Sequence, residues 1–397
     1  MTGMFDADNH YYEATDAFTR HIPKEMAKRA MQWAEINGRQ RLLVGGRVNR
    51  FIPNPQFDPV AKPGSLDEYF RGRNPDAKDM RALFGALEPI RPEYRDRDAR
   101  LAVMDGQGID GCFLFPTLGV GMEESLAHDP PALVAAFSAF NRWLDEDWGY
   151  AYRERIFAAP MITLIDPDAA VTELRAVLER DARIVCIKGG PQHTPAGLTS
   201  PGDERFDGFW SLVNESGVTV GVHSGDAGYG RYINDWEPFG EFESFRHAPF
   251  RTVVGADRAP YETMAALVCH GVFDRFPNVR VASIEAGADW VPLLLKKLKK
   301  AYGQSPTSFP RDPVETFRSH VWVAPFYEDD LAKVKDEIGV DHMLFGSDWP
   351  HAEGLAEPRT FADDLRRHDF TEDEIHSIMF VNGWPLTSAN APVHARA

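Results

Sequence analysis

Four side chains that can bind a metal ion lie at the ends of short apolar segments of this sequence: Asp8, His10, His223 and Asp348. Asp8 and His10 are two positions apart, so in a β-strand both would face the same side and could chelate one ion. Imidazole nitrogens and carboxylate oxygens are suitable ligands for Zn²⁺ or Mn²⁺, so this donor set favours these ions over metals that prefer thiolate ligands. The residues therefore predict a divalent metal site, with an open position to activate water or to bind substrate oxygens.

Further polar side chains at segment ends are candidates for the reaction itself. Glu285 could act as an acid/base group if burial raises its pKa, or could orient a ligand imidazole. His351 follows Asp348 by three residues and could supply another imidazole or hold a loop. Glu285 and His351 are therefore candidate catalytic residues. Lys188 and Tyr229 are assigned to substrate binding, although Lys188 would have no function if it turned outward.

Short apolar segments alternate with stretches of helical periodicity, which is typical of a parallel β/α fold. The predicted strands cover 4–8, 111–116, 156–164, 183–188, 218–223, 279–285, 321–325 and 342–347, with helices over 169–179 and 292–301 among the connections. Continuous apolar character fits strands buried on both faces, and eight of them predict a (β/α)₈, or TIM, barrel in one domain over 1–397. Barrel enzymes place functional residues at the C-terminal ends of the strands, where the candidates above occur.

Two connections are too long to be simple crossovers. After the first strand, residues 11–100 contain a predicted helix over 23–36, a hairpin turn at Gly45-Gly46 and a proline-rich loop, which together indicate an inserted subdomain. After the fifth strand, residues 226–259 are rich in aromatic side chains: Tyr229, Tyr232, Trp236, Phe239, Phe242, Phe245 and Phe250. Because such a loop projects over the active-site face of a barrel, we predict a lid or an oligomer contact.

The composition disfavours several classes of partner and reaction. Lys and Arg number 43 against 60 Asp and Glu, and the net charge of −17 would repel nucleic acid and anionic membranes. The cysteines Cys112, Cys186 and Cys269 form no CxxC pair, which fits a reducing cytosol, and no segment is typical of a signal peptide or a membrane span. We therefore expect a cytoplasmic protein. Motifs of serine hydrolases, NTPases and dinucleotide-binding proteins do not occur.

Several segments together resemble the amidohydrolase-related family. They are residues 5–10 (FDADNH), 221–226 (GVHSGD), 271–281 (GVFDRFPNVRV), 284–292 (IEAGADWVP) and 345–351 (FGSDWPH). The resemblance covers nearly the whole chain and is closest to the branch with aminocarboxymuconate semialdehyde decarboxylase and the resorcylate-type aromatic acid decarboxylases. It implies a metal-dependent barrel that acts on small carboxylates by non-oxidative decarboxylation or, in other members, hydrolyses lactones or amides.

The resemblance also implies roles for individual residues. Asp8 and His10 match the family's ligand pair on the first strand, His223 matches its ligand on the fifth, and Asp348 matches its eighth-strand ligand and catalytic acid/base. Asp8 stands where many members have His, although a carboxylate is also a family variant. Glu285 stands where the known decarboxylases have a catalytic His, which leaves the reaction less certain than the fold.

Three interpretations of function stay open at this point. The leading one is a mononuclear decarboxylase of a small aromatic or unsaturated acid, with Zn or Mn. The second is metal-dependent hydrolysis of a lactone or amide. The third is a catalytically silent barrel that binds a ligand through residues 226–259. Lys188 stands where binuclear members carry a bridging carboxylated lysine, but the first strand lacks the expected His-x-His pair, which favours one metal. The resemblance further implies a homodimer or higher oligomer.

Overall fold

The computed structural model describes residues 3–78, 80–238, 240, 243–245, 248–255 and 257–388. Phe239 and Phe242 of the aromatic segment lie outside the described residues. Among the described residues, no helix combines the length and the apolar character needed to cross a bilayer.

The strands of the described chain, in order, are β1 (Phe5–Tyr11), β2 (Met31–Ile36), β3 (Arg39–Val44), β4 (Arg47–Val48), β5 (Gly111–Pro116), β6 (Ile156–Ala158), β7 (Met161–Ile162), β8 (Ile184–Lys188), β9 (Gln192–Thr194), β10 (Gly197–Thr199), β11 (Thr219–His223), β12 (Arg280–Ile284) and β13 (Val321–Val323).

The α-helices are α1 (Asp67–Phe70), α2 (Met80–Leu83), α3 (Arg97–Gln107), α4 (Met122–Leu126), α5 (Pro130–Asp147), α6 (Pro167–Leu178), α7 (Asp207–Ser216), α8 (Gly230–Asn234), α9 (Pro249–Gly255), α10 (Arg258–Cys269), α11 (Val272–Arg275), α12 (Trp290–Gln304), α13 (Pro313–His320), α14 (Leu331–Ile338), α15 (Phe361–Arg367) and α16 (Glu372–His376). A π-helical turn covers Ser377–Val381, and short 3₁₀ turns cover Pro92–Tyr94, Gly119–Gly121, Glu204–Phe206, Pro306–Ser308, Val340–His342, Pro358–Thr360 and Trp384–Thr387.

Parallel strands follow one another around the barrel in the order of the chain. One run of neighbours is β1-β5-β6 and the other is β7-β8-β11-β12-β13. Only Ala159 and Pro160 separate β6 from β7, so the predicted strand over 156–164 is two short strands. Pro160 has no N–H to donate to a neighbour, which accounts for the interruption. The Pro160 carbonyl nevertheless accepts a 2.8 Å hydrogen bond from Cys186 N on β8, so the interrupted segment stays paired with the next strand of the barrel.

The segment predicted as the eighth strand, 342–347, closes the barrel without forming a regular strand. Leu344 N donates to Val323 O on β13 at 2.8 Å, and Ala7 N on β1 donates to Phe345 O at 2.7 Å. The backbone amide of Ser347 donates to the Asp6 side chain at 2.9 Å instead of a carbonyl, which interrupts the ladder. The prediction is therefore right about the position of this element and wrong about its regularity.

Alternate residues of the barrel strands pack on opposite sides. Phe5, Ala7, Phe113, Phe115 and Ile184 belong to a cluster of buried side chains inside the barrel. Residues between them, together with the inner faces of the helices, form a larger outer core. This two-sided burial explains the continuous apolar character of the strand sequences.

The first long connection contains a three-stranded antiparallel sheet, β2-β3-β4, so the helix predicted over 23–36 is wrong. Met31–Ile36 is β2, and it pairs with β3 across a turn at Asn37 and Gly38. Both turn residues have positive φ, 53° and 70°, which is the backbone that an Asn-Gly hairpin turn requires. Gly45 and Gly46 form the following turn, between β3 and β4.

The second long connection packs against the first. Phe245 lies edge-on to Phe84, with ring centroids 5.2 Å apart. Ser244 N donates a 2.8 Å hydrogen bond to Phe51 O. These contacts join two segments that are distant in sequence above the C-terminal ends of the barrel strands.

Candidate active site

The ends of β1, β11 and β12 bring Asp8, His10, His223 and Glu285 together, with one ligand atom of each residue within 4.8 Å of all the others. Nε2 of His10 lies 3.2 Å from Asp8 Oδ1. Nε2 of His223 lies 3.4 Å from the same oxygen and 3.3 Å from Glu285 Oε2. Three of the four predicted metal ligands thus converge, and Glu285 joins them.

Asp348 approaches the same centre from the segment that closes the barrel. Its Oδ1 lies 3.4 Å from His10 Nε2 and 2.5 Å from His351 Nδ1. Asp348, His351, His10 and Glu285 form a second group of potential ligands, which shares two members with the first. The predicted fourth ligand therefore lies beside the first three and pairs with the predicted catalytic His351.

The donor set fits a divalent cation. The Nε2 atoms of His10 and His223 face each other at 3.3 Å. His223 Nδ1 lies 2.8 Å from Ser224 O, and because a carbonyl only accepts, the proton is on Nδ1 and the lone pair on Nε2 points into the centre. Oδ1 of Asp8 and Oδ1 of Asp348 are buried without a hydrogen-bond partner among the described residues. Converging lone pairs of this kind repel one another unless a cation lies between them.

The electrostatics of the centre agree with this interpretation. Burial, and then the neighbouring carboxylates, raise the pKa of Glu285 and of Asp348 well above their usual values. Burial also lowers the pKa of His10, which keeps that imidazole neutral and able to bind a metal. Burial alone would raise the pKa of Asp8, but the contacts with His10 and His223 outweigh it, so the pKa is lowered and Asp8 stays ionised.

The Gly-Ser-Asp sequence over 346–348 has a physical role at each position. A Cβ on Gly346 would lie 2.7 Å from Cβ of Asp8, so only glycine leaves room for that ligand. Ser347 binds the buried Asp6 carboxylate through its N–H at 2.9 Å and its hydroxyl at 2.5 Å. Asp348 has a φ of 55°, and Glu285 a φ of 49°, a left-handed backbone that is rare outside glycine and concentrates at functional sites.

Arg100 forms hydrogen bonds with the end of β1 that carries the metal-binding residues Asp8 and His10. Its buried guanidinium donates to the Asn9 side chain, to His10 O at 2.7 Å and to Glu93 O at 2.8 Å. It also lies 4.6 Å from the ring centre of Trp349. Neither Arg100 nor Asp6 was among the predicted site residues. For Asp6 the sequence does contain a signal: it is a charged residue between Phe5 and Ala7 in an apolar segment, and a buried charge needs a partner.

His351 is held in one tautomer by Thr117. The Thr117 hydroxyl donates to Tyr11 O at 2.7 Å, so its oxygen must accept from His351 Nε2, which lies 2.9 Å away. The Nδ1 lone pair of His351 therefore faces Asp348, and His351 Nδ1 lies 2.5 Å from Asp348 Oδ1. Glu353, also not predicted, has a buried Oε2 with no hydrogen-bond partner among the described residues.

The two predicted substrate-binding residues lie in the wall of a neighbouring cavity. Lys188 Nζ donates to Pro191 O at 2.6 Å and pairs with Glu124 at 3.1 Å. A carboxylated lysine would be an anion beside Glu124, which argues against a bridging role. The Tyr229 hydroxyl donates to Glu262 at 2.5 Å. Both polar groups therefore have protein partners.

The cavity has a volume of about 800 Å³ and reaches the metal-binding side chains. His10, His223, Glu285, His351 and Glu353 line its inner end. The long connections after β1 and β11 supply much of the rest of the wall. The centre is thus accessible to a small organic molecule from one side.

A sequence model of the amidohydrolase family matches residues 79–382, so the chain belongs to this family. Together with the metal-binding cluster, the family identifies the protein as an enzyme of the amidohydrolase superfamily that uses a divalent metal ion. The matched region does not include β1, which carries Asp8 and His10.

Similar solved structures cover almost the whole chain. An amidohydrolase from Mycobacterium avium subsp. paratuberculosis K-10 is 45% identical with a TM-score of 0.92, and the match covers 98% of this chain and 99% of that one. A dihydroxybenzoic acid decarboxylase from Polaromonas sp. JS666, solved with manganese and 2-nitroresorcinol, is 18% identical with a TM-score of 0.60, over 98% and 97% of the chains. A 5-carboxyvanillate decarboxylase from Sphingomonas paucimobilis is 16% identical with a TM-score of 0.57, over 98% and 99%. The last two are similar in fold.

Proposed function

We propose that the protein catalyses the non-oxidative decarboxylation of an aromatic or unsaturated carboxylic acid with one divalent metal ion. The observation that carries the proposal is the position of the Asp348 carboxyl group, whose Oδ1 lies 2.5 Å from His351 Nδ1 and beside the metal-binding cluster. Decarboxylases of dihydroxybenzoate and 5-carboxyvanillate among the structures of similar fold support this choice of reaction.

Asp8, His10 and His223 would hold the metal, with Asp348 on its remaining side. We propose Mn²⁺ or Zn²⁺, because nitrogen and carboxylate ligands suit both ions and a structural neighbour contains manganese. The bound cation would supply the positive charge that binds the substrate carboxylate and stabilises charge developing on the carbon skeleton.

Asp348 would act as the general acid. When the bond to the carboxylate breaks, its electron pair remains on the ring carbon, and Asp348 gives its proton to that carbon as CO₂ leaves. His351 positions the proton, since Thr117 fixes its tautomer with the lone pair toward Asp348. Glu285, held protonated by burial, would face the substrate without repelling its negative charge.

The test measures CO₂ release from 2,6-dihydroxybenzoate, 5-carboxyvanillate and muconate-type acids by protein loaded with Mn²⁺ or Zn²⁺. In D₂O, decarboxylation places deuterium on the ring carbon that lost CO₂, which NMR detects. Hydrolysis of a lactone or amide in ¹⁸O-labelled water places label in the product carboxylate instead. Label in carboxylate with no CO₂ release would replace our proposal by the hydrolase alternative.

A further inference from the structure

The cavity is larger than a single aromatic ring requires. A water-sized group occupies roughly 30 Å³ in the liquid, so about 800 Å³ has room for roughly 25 non-hydrogen atoms. A monocyclic dihydroxybenzoic acid has fewer than half that number. A substrate of that size, held at the metal-binding end, would leave most of the cavity to water.

Most of the wall beyond the metal-binding end is apolar. Side chains from the two long connections provide it, including Phe51, Phe57, Val60, Phe84, Ile233 and Phe245. Phe70 and Leu87, which also line the cavity, are 38% and 52% exposed, so its wall remains apolar where it meets solvent. Water in such a space gains few hydrogen bonds, whereas an apolar group would be stabilised there.

Several polar groups in the wall have hydrogen-bond or ion-pair partners within the protein. Lys188 pairs with Glu124 at 3.1 Å, and the hydroxyl of Tyr229 donates to Glu262. Glu123 accepts a 3.0 Å hydrogen bond from Thr163, and burial raises its pKa to about 7.

The apolar wall is also held in place. Phe51 packs so closely over Gly121 that a Cβ there would lie 2.3 Å from its ring. The backbone of Phe51 is bonded to Ser244, and Phe84 contacts Phe245, so the two connections fix each other. A wall fixed in this way can provide a binding site without first folding around a ligand.

We propose that the substrate carries a hydrophobic extension, such as an alkyl chain or a second ring system of about ten non-hydrogen atoms, on the acid that reacts at the metal. This inference rests on the proposed function, because it takes the metal-binding end as the place where the carboxylate reacts. The extension would occupy the space between the connections after β1 and β11.

The test uses two alkyl series with the Mn²⁺-loaded protein. Binding of 5-alkylresorcinols, from methyl to nonyl, is measured by calorimetry, and CO₂ release is measured for the matching 6-alkyl-2,4-dihydroxybenzoic acids. Each buried methylene is expected to lower Kd roughly fourfold until the cavity is full. A Kd that stays constant or rises beyond the methyl member would overturn the proposal.

Substitutions in the cavity wall test where the hydrophobic extension of the substrate binds. Ala259→Phe places a ring in the cavity wall, and we expect the gain in affinity to stop at a shorter chain. Leu87→Ser at the exposed part of the wall should weaken binding of the longest members alone. Ala102→Phe, the same substitution on an exposed position of α3, is the matched control and should leave the series unchanged. A chain-length dependence identical to the wild type in both cavity variants would place the extension elsewhere and contradict the proposal.

The two readouts separate this inference from the proposed function. CO₂ release from the methyl member, with no gain in affinity along the series, would refute the hydrophobic extension and leave the decarboxylase intact. Affinity that rises with chain length, with no CO₂ released from any member, would support the apolar subsite and refute the reaction.

Discussion

Arg100 gives the sharpest test of how the metal-binding end of β1 is held. Its guanidinium bonds to the Asn9 side chain, to His10 O and to Glu93 O, all inside the protein. Arg100→Met keeps much of the volume and removes all three bonds. Arg100→Lys keeps the charge and can restore one of them.

The expected magnitude follows from these contacts. Hydrogen bonds to a charged group contribute about 1.5–3 kcal/mol each, and part of that loss is recovered because Met leaves no buried charge behind. We therefore expect Arg100→Met to lower the free energy of unfolding by about 4 kcal/mol and Arg100→Lys by about 2 kcal/mol. Because His10 loses its backbone support, Mn²⁺ affinity should fall roughly 10- to 100-fold in Arg100→Met.

Urea unfolding of the metal-free protein gives the stability change, and competition with a chelator gives the Mn²⁺ affinity. Arg95→Met is the matched control, because Arg95 also donates to backbone carbonyls, those of Tyr12, Glu13 and Gln56, but contacts none of the proposed ligands. The control should lose stability and keep its metal affinity. Unchanged Mn²⁺ affinity in Arg100→Met, or an equal loss in Arg95→Met, would refute the assignment of Arg100 as the support of His10.

Further predictions concern the metal, the acid and a buried carboxylate. Chelation should lower the melting temperature, because a metal ion that binds only the folded protein stabilises it; an unchanged melting temperature on adding EDTA to the Mn²⁺-loaded protein would contradict this. His223→Ala should reduce bound metal, measured by plasma mass spectrometry, from one equivalent to a small fraction, and full occupancy would exclude His223 as a ligand. Asp348→Asn should reduce kcat on the best acid by about 10³-fold or more, measured at saturating Mn²⁺ because Asp348 is also a proposed ligand, and a kcat near that of the wild type would rule out Asp348 as the acid. Burial alone would raise the pKa of Glu124, but its contacts with His193 and Lys188 lower it to about 2, so the carboxylate stabilises the fold above its unfolded pKa and less as the pH falls toward 2. Glu124→Gln should therefore cost about 2 kcal/mol at pH 7 and little near pH 2 in urea unfolding, and a pH-independent cost would show that charge is not the cause.

The strand ends that meet at the centre could be predicted from sequence, because periodicity identifies buried parallel strands and a barrel fixes which ends converge. The strands β5, β8, β11 and β12 lie within a residue of the predicted positions. Asp8, His10, His223, Glu285 and Asp348 follow from the same rule, since each ends or follows such a segment.

Other features depend on contacts between residues far apart in the chain. Arg100 and Asn9 are separated by 91 positions, and Asp6 and Ser347 by 341, so no local pattern relates them. The helix predicted over 23–36 failed for a different reason. The apolar spacing was ambiguous, and the Asn37-Gly38 turn signal, which was present in the sequence, favours the hairpin that forms.

The hydrogen bonds that join β1 to residues 345–348 also determine when the metal-binding centre can assemble during synthesis. β1 pairs with β5 on one side and on the other receives Phe345 and Asp348, more than 300 residues later. A nascent chain that has not yet emerged past residue 351 lacks Asp348 and His351, and its first strand has one open edge. Metal capture at the full site therefore waits until residues 345–351 are available to fold, and until then the exposed edge of β1 is a surface that chaperones or other chains can pair with.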